Sequence, residues 1–188
     1  METYTSTSVA PVPNPPAYKV ILLGDLSVGK SSLIRRGADA NLLFDAIPEK
    51  LITVDGANVR LLLYDLAPDQ ARYREVREQF YQGALAAALV FDMSSPSSFF
   101  NLMHWRDEMQ SFVPLLPGIV VGNKCDQFQV IPVEEVRGWA ESLSMPFMLT
   151  SAETGEGVDQ LWIELARLAS QERQRREERQ RAMRWIIR

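Results

Sequence analysis

The chain has 188 residues, enough for one domain with a substantial core. Its 46% hydrophobic and 23% charged residues are those of an ordinary soluble globular protein, and a net charge of −4 argues against a nucleic-acid partner. No run of about 18 apolar residues is present to cross a membrane, and the N-terminus lacks the charged and apolar regions of a secretory signal. One cysteine, Cys125, excludes an intramolecular disulfide and suits a reducing compartment, and one histidine, His104, excludes a metal cluster or a Ser-His-Asp set.

Residues 1–17, with Pro11, Pro13, Pro15 and Pro16 among Ser and Thr, read as a disordered arm ahead of a folded unit over 18–170. Within that unit apolar strands alternate with amphipathic helices, the pattern of an α/β fold. Val20–Leu23 reads as a buried parallel strand and Lys30–Ile34 as the start of a helix. Between them Gly24–Ser31 has the form G-x-x-x-x-G-K-S, a P-loop. A chance glycine-rich turn would not carry those flanks. Such a loop gathers phosphate oxygens at a helix N-terminus, here through Asp25, Leu26, Ser27, Val28, Gly29, Lys30, Ser31 and Ser32. Lys30 adds a point charge, and the Ser31 hydroxyl can ligate Mg²⁺.

Asp55-Gly56, between Leu51-Ile52-Thr53 and Val59–Tyr64, is a hairpin signal. His104 falls in a segment with helical apolar spacing through Phe100 and Met103, so it reads as a surface or packing residue. Ile119–Gly122 is another apolar strand, and Asn123-Lys124-Cys125-Asp126 follows it. Asp126 can accept from both N1–H and the exocyclic amine of guanine, whereas adenine presents the wrong donors. Asn123 can tie this loop to the P-loop, and the stem of Lys124 can lie along the base; Cys125 occupies a variable position. After the strand Phe147–Leu149, Ser151-Ala152 can offer a backbone N–H to the guanine oxygen. All of these lie at the C-terminal ends of strands, where open α/β sheets bind ligands.

With these motifs in this order the chain resembles a Ras-superfamily small GTPase of the Rab branch, over about residues 18–168. Phe80–Ala84, Leu89–Asp92, Ser98–Trp105 and Ser151–Val158 resemble Rab segments in the matching order. The resemblance implies the P-loop NTPase fold, a six-stranded, mostly parallel sheet with helices on both faces. It also implies a GTP/GDP cycle, Mg²⁺ held by Ser31 and, through water, by Asp65, and protein effectors. A cytoplasmic protein of vesicle trafficking or signal transduction, peripheral at a membrane or organelle, is the corresponding expectation.

Departures from the family pattern cluster around the γ-phosphate. Working members place a threonine on Mg²⁺ and the γ-phosphate between the first helix and second strand. Here no Ser or Thr occurs from Leu33 to Ile52, and the interval from Ser31 to Asp65 is short. Asp45 or Glu49 could reach the metal, but a carboxylate would repel the γ-phosphate. The family's D-x-x-G is here Asp65-Leu66-Ala67-Pro68, and proline has no N–H to donate. The water-positioning glutamine falls on Asp69 without an insertion and on Gln70 with one; the second alignment also brings Arg72-Tyr73-Arg74 into register. Lys30 and Gln70 are thus the candidate catalytic residues. Leu26 stands where the family has Gly or Ser and should crowd the γ-phosphate and an arginine finger. Slow hydrolysis is expected, because phosphoryl transfer depends on such positioning groups.

Residues 158–188 read as one long helix, with Leu161, Leu165 and Leu168 forming an apolar stripe. Residues 171–188, a basic helical extension, hold seven arginines against three glutamates, a net +4 against −8 for residues 1–170. Glu/Arg alternation fits a solvated helix, while a basic helix ending in Trp185 and Ile186 also fits a partner's groove or an anionic membrane. The end Met183–Arg188 carries no cysteine for prenylation, so the expected membrane association is at most peripheral. Two functions follow as alternatives: a slow GTPase switch that recruits proteins, or a pseudo-GTPase scaffold that holds GDP as a structural ligand.

Overall fold

A computed structural model describes residues 14–39, 47–65 and 74–186. The chain runs β1 (Ala17–Leu23), α1 (Lys30–Gly37), β2 (Glu49–Val54), β3 (Ala57–Asp65), α2 (Arg74–Tyr81), β4 (Ala86–Asp92), α3 (Pro96–Phe100), α4 (Leu102–Phe112), β5 (Gly118–Asn123), α5 (Val133–Ser142), β6 (Phe147–Leu149) and α6 (Val158–Ile186). The six strands form one sheet in the order β2-β3-β1-β4-β5-β6. All neighbours are parallel except β2 and β3. That pair is the hairpin expected from Asp55-Gly56. Both turn residues have positive φ, 51° and 78°, as a two-residue turn matched to strand twist requires.

Continuous apolar strands are explained by burial on both faces. In β1, Val20 and Leu22 belong to one core and Ile21 and Leu23 to the other. In β4, Ala86, Ala88 and Val90 alternate in the same way with Ala87, Leu89 and Phe91. Leu33 and Ile34 of α1 and Leu161, Trp162 and Leu165 of α6 cover the first face. Tyr81, Phe99, Leu102, Met109, Val136 and Ala140, from α2 to α5, cover the second. The short-range strand period of two therefore assigns each side chain to one helical layer or the other.

One reading of a helical face needs correction. Phe100 and Met103 are exposed, and so is His104. Asn101 separates α3 from α4, and α4 buries Leu102 and Met109 instead. Along α6 the expected stripe docks: Leu161 and Leu165 are buried, Leu168 packs half-buried against the same core, and Trp162, Ala166 and Ala169 complete it. The contact face then continues in polar form. Glu172 is buried and accepts from Arg176 Nε at 2.8 Å, while Arg176 Nη2 donates to the Ala84 carbonyl at 2.8 Å. Beyond that anchor Met183 and Trp185 are exposed.

The packing of α1 on α6 depends on a size match. A Cβ on Gly37 would lie 1.8 Å from Trp162 Nε1. The indole fills the room that glycine leaves, and among the described residues its buried N–H has no hydrogen-bond partner. Overpacking of this kind costs about 1–3 kcal/mol. Gly37→Ala should therefore lower the free energy of unfolding, from denaturant titration, by that amount. Gly138→Ala, on the exposed face of α5 with nothing within 4 Å of the new Cβ, should raise it by about 0.5–1 kcal/mol. Equal effects of the two substitutions would refute the size-match account.

Candidate functional site

The turn from β1 into α1 builds a cradle without side-chain capping of the helix. Gly29 sits at the helix N-cap with φ 99°, and a Cβ there would meet Asn123 Nδ2 at 2.2 Å. Ser27 takes φ 63° without being glycine, a conformation that costs an L-residue roughly 1–2 kcal/mol. Leu26, Ser27, Gly29, Lys30, Ser31, Ser32, Asp65 and Lys124 line a cleft of about 390 Å³. Leu26 is 65% exposed at this cleft. Asp25 and Val28 do not line it: the Asp25 carboxylate turns aside, and Val28 is buried.

Lys30 is buried at the floor, where Nζ donates to the carbonyls of Gly24 at 2.9 Å and Asp25 at 2.7 Å. Burial lowers its pKa, and the charges of Asp65 and Asp25 oppose that shift. An ammonium held by carbonyls in this way is already oriented toward the loop interior. Ser31 Oγ donates to Asp65 Oδ2. The other carboxylate oxygen, Oδ1, lies 3.9 Å from Lys30 Nζ and is buried with no hydrogen-bond partner among the described residues. A hydroxyl and a carboxylate with one orphaned oxygen are hard donors, so Ser31 and Asp65 fit the Mg²⁺ implied by the resemblance.

A second cleft, of about 500 Å³, adjoins the first and shares Gly29, Ser32 and Lys124 with it. Asn123, Asp126, Gln127, Ala152, Glu153, Arg35 and Arg36 complete its lining. Asn123 is 1% exposed, and its amide makes three links. Nδ2 donates to Val28 O at 2.8 Å, and Oδ1 accepts from Thr150 Oγ1 at 3.1 Å and Ala152 N at 3.2 Å. Asp126 is exposed on the cleft, and no hydrogen bond from the described residues occupies its carboxylate. Ser151 is fully buried outside the lining, where its Oγ accepts the Thr154 N–H at 3.0 Å and so shapes the loop.

Lys124 takes φ 62°, and its ammonium lies 2.6 Å from Asp92 Oδ2. Glu49 lines neither cleft; its carboxylate pairs with Arg60 at 3.1 Å, which corrects the expectation that it could reach a metal. Asp45, Pro68, Asp69 and Gln70 lie outside the described residues.

Several partners were not legible as site residues in the sequence. Asp25 receives Asn101 Nδ2 at 2.7 Å and Trp105 Nε1 at 2.9 Å, two donors from the start of α4 that hold a negative side chain away from the phosphate cradle. Asp92 carries Lys124, and Arg36 reaches the loop after β6. Only the position of Asp92 at a strand's C-terminal end could have marked it; Asn101 and Trp105 carry no motif of their own.

Asp92 gives this cluster a pH signature. Burial would raise its pKa, but hydrogen bonds from Lys124 and Ser94 together with the lysine's charge outweigh that and hold it below the ordinary carboxylate value. A depressed folded-state pKa contributes stability above the unfolded pKa, near 4, and that stability is lost as pH falls through the folded value. Thermal melts from pH 7 to pH 2.5 should show stability falling below about pH 4. Asp92→Asn should lower stability at neutral pH and flatten that fall. An unchanged acid limb in the variant would refute the account.

The sequence matches the Ras family over residues 19–171. It is 32% identical to Ras-related protein RabG2 of Dictyostelium discoideum over 163 residues, covering 81% of this chain and 82% of that protein. It is 33% identical to GTP-binding protein YPTM2 of Zea mays over 169 residues, covering 82% and 83% of the two chains. Similarity to Ras-related protein Rab-1D of Dictyostelium discoideum is of the same order, 32% over 160 residues, covering 80% of this chain and 78% of that protein. A cradle between β1 and α1, with loops from β5 and β6 beside it, thus coincides with a family match across most of the chain: the protein belongs to the Ras family and is a Rab-like member of it.

Proposed function

We propose that the protein binds guanine nucleotide with Mg²⁺ and recruits other proteins in intracellular trafficking, hydrolysing GTP slowly. The reading rests above all on the Asn123 amide, which joins the P-loop carbonyl of Val28 to Thr150 and Ala152. Such a link sets a phosphate cradle and a base-reading loop at a fixed spacing, which is what a nucleoside diphosphate requires. Lys30 serves the β-phosphate, and backbone N–H groups from Asp25 to Ser32 surround it. Asp126 accepts from the guanine N1–H and amine, Lys124 flanks the base, and the Ala152 N–H, which rests on Asn123 Oδ1 at 3.2 Å without ligand, turns to the guanine oxygen when the base enters. Ser31 and, through water, Asp65 would hold Mg²⁺, which would supply charge neutralisation to the phosphates. Gln70 is the residue assigned to orient the attacking water.

Retention of the grip contrasts with erosion of the γ-phosphate side. No Ser or Thr occurs between Leu33 and Ile52, and Pro68 has no N–H. Leu26 projects at the mouth of the phosphate cleft. These favour a second reading, in which GDP is a structural ligand that stabilises an interaction module by mass action. The α6 extension past Arg176, with exposed Met183 and Trp185, is the partner-docking segment in either case.

Calorimetric titration of nucleotide-free protein in Mg²⁺ separates the two. Tighter binding of a non-hydrolysable GTP analogue than of GDP supports the switch. Equal affinities, or tighter GDP with no distinct conformational response to the analogue, support the scaffold. For the site itself, Lys30→Ala and Asp126→Ala should each abolish copurifying guanine nucleotide, read by chromatography of heat-released ligand. Retention of guanine nucleotide by both variants would sink the assignment.

A further inference from the structure

We infer that Arg36 is a positioning residue for base selection, fastening the Ser151–Thr154 loop to the helix that carries the phosphate cradle; this rests on the nucleotide-binding reading. Its fork donates from Nη1 to the Glu153 carbonyl at 2.9 Å and from Nη2 to the Thr154 carbonyl at 2.7 Å. The two carbonyls belong to the turn that immediately follows Ala152. Gly155 makes room for the guanidinium, since a Cβ there would lie 2.7 Å from Nη2.

Arginines near a helix C-terminus also complement the helix dipole, and that would account for Arg35 and Arg36 alike. Geometry separates them. The end of α1 is already capped by the Ala38 N–H on Ile34 O at 2.7 Å. Arg36 instead spans to carbonyls 117 and 118 residues away in the chain. Its bonds close a ring: Gly29 starts α1, Arg36 near its end holds the loop, Ala152 in that loop donates to Asn123, and Asn123 donates back to Val28. On its β5 side the loop is already held by Asn123 and by the Thr150 N–H on Gly122 O and the Cys125 N–H on Thr150 O. The Arg36 fork adds an attachment to α1 on the far side of the turn, so the Ala152 backbone keeps its place beside the cleft. A planar two-pronged donor is required; lysine offers one point charge and cannot match both carbonyls.

Arg36→Gln tests this, with pyrophosphate as a probe of the phosphate cradle alone and GDP against ADP as a probe of base selection. Both bonds are solvent-exposed, so losing them corresponds to about three- to tenfold in affinity. The expected result is a loss of GDP affinity of about that size and a fall in the GDP-over-ADP preference, with pyrophosphate affinity unchanged. Amide hydrogen exchange over 151–157 should quicken at the same time. Arg36→Lys, which keeps the charge, should lose most of the same preference, and it decides the matter should the glutamine variant not fold. Unchanged GDP preference in the folded variants would overturn the inference, as would equal losses for GDP and pyrophosphate. Failure of the wild-type protein to bind GDP at all would instead overturn the nucleotide reading beneath it.

Discussion

One buried amide holds the two clefts in register. Asn123 is nearly inaccessible, and its donor and acceptor are both engaged, by the Val28 carbonyl on one side and by Thr150 and Ala152 on the other. A buried polar group with all its partners is inexpensive, whereas loss of one partner leaves the others unsatisfied at about 1–3 kcal/mol. The glycine at position 29 has the same origin: any side chain there would collide with that amide. Phosphate cradle and base loop are therefore one rigid object, even though some 95 residues separate Val28 from Asn123.

The sheet makes that junction possible. β1 and β5 are not adjacent; β4 lies between them, and its fully buried run Ala86–Asp92 sets their separation. Small alanines in β4 keep the layers close, while Leu89 and Phe91 fill the α2–α5 side. On the opposite side the long α6 packs over β1, β2 and β4 and meets α1 at the Gly37–Trp162 contact. Every loop that lines the clefts leaves the same end of this sheet, as the open α/β architecture dictates.

Charge is distributed in keeping with an anionic ligand. Lys30, Lys124, Arg35 and Arg36 line the clefts. Three acids near the cradle are occupied: Asp25 by Asn101 and Trp105, Asp92 by Lys124 and Ser94, and Asp65 in part by Ser31. Asp126 and Glu153 line the second cleft with carboxylates that no hydrogen bond from the described residues occupies. The lack of Ser and Thr from Leu33 to Ile52, the leucine at position 26 and the proline at position 68 are properties of this chain rather than of its fold.

Much of this was legible from sequence, for a physical reason. P-loop, hairpin and Asn123–Asp126 signals are local: each depends on backbone conformation and hydrogen bonding within a few residues, and strand periodicity places them at strand ends. The link from Asn123 to the P-loop could be anticipated because both motifs follow strands of one sheet at the same end. Face assignment fared less well where a helix breaks, as at Asn101, or where a size match decides, as with Trp162 and Gly37. Asp92, Asn101, Trp105 and Arg36 became site residues only through long-range contacts, and no local pattern encodes a partner 32 to 118 positions away. The sequence by itself determined which chemical groups are present and on which elements they ride; tertiary structure decided which of them meet, because contact between distant residues depends on packing of the whole sheet.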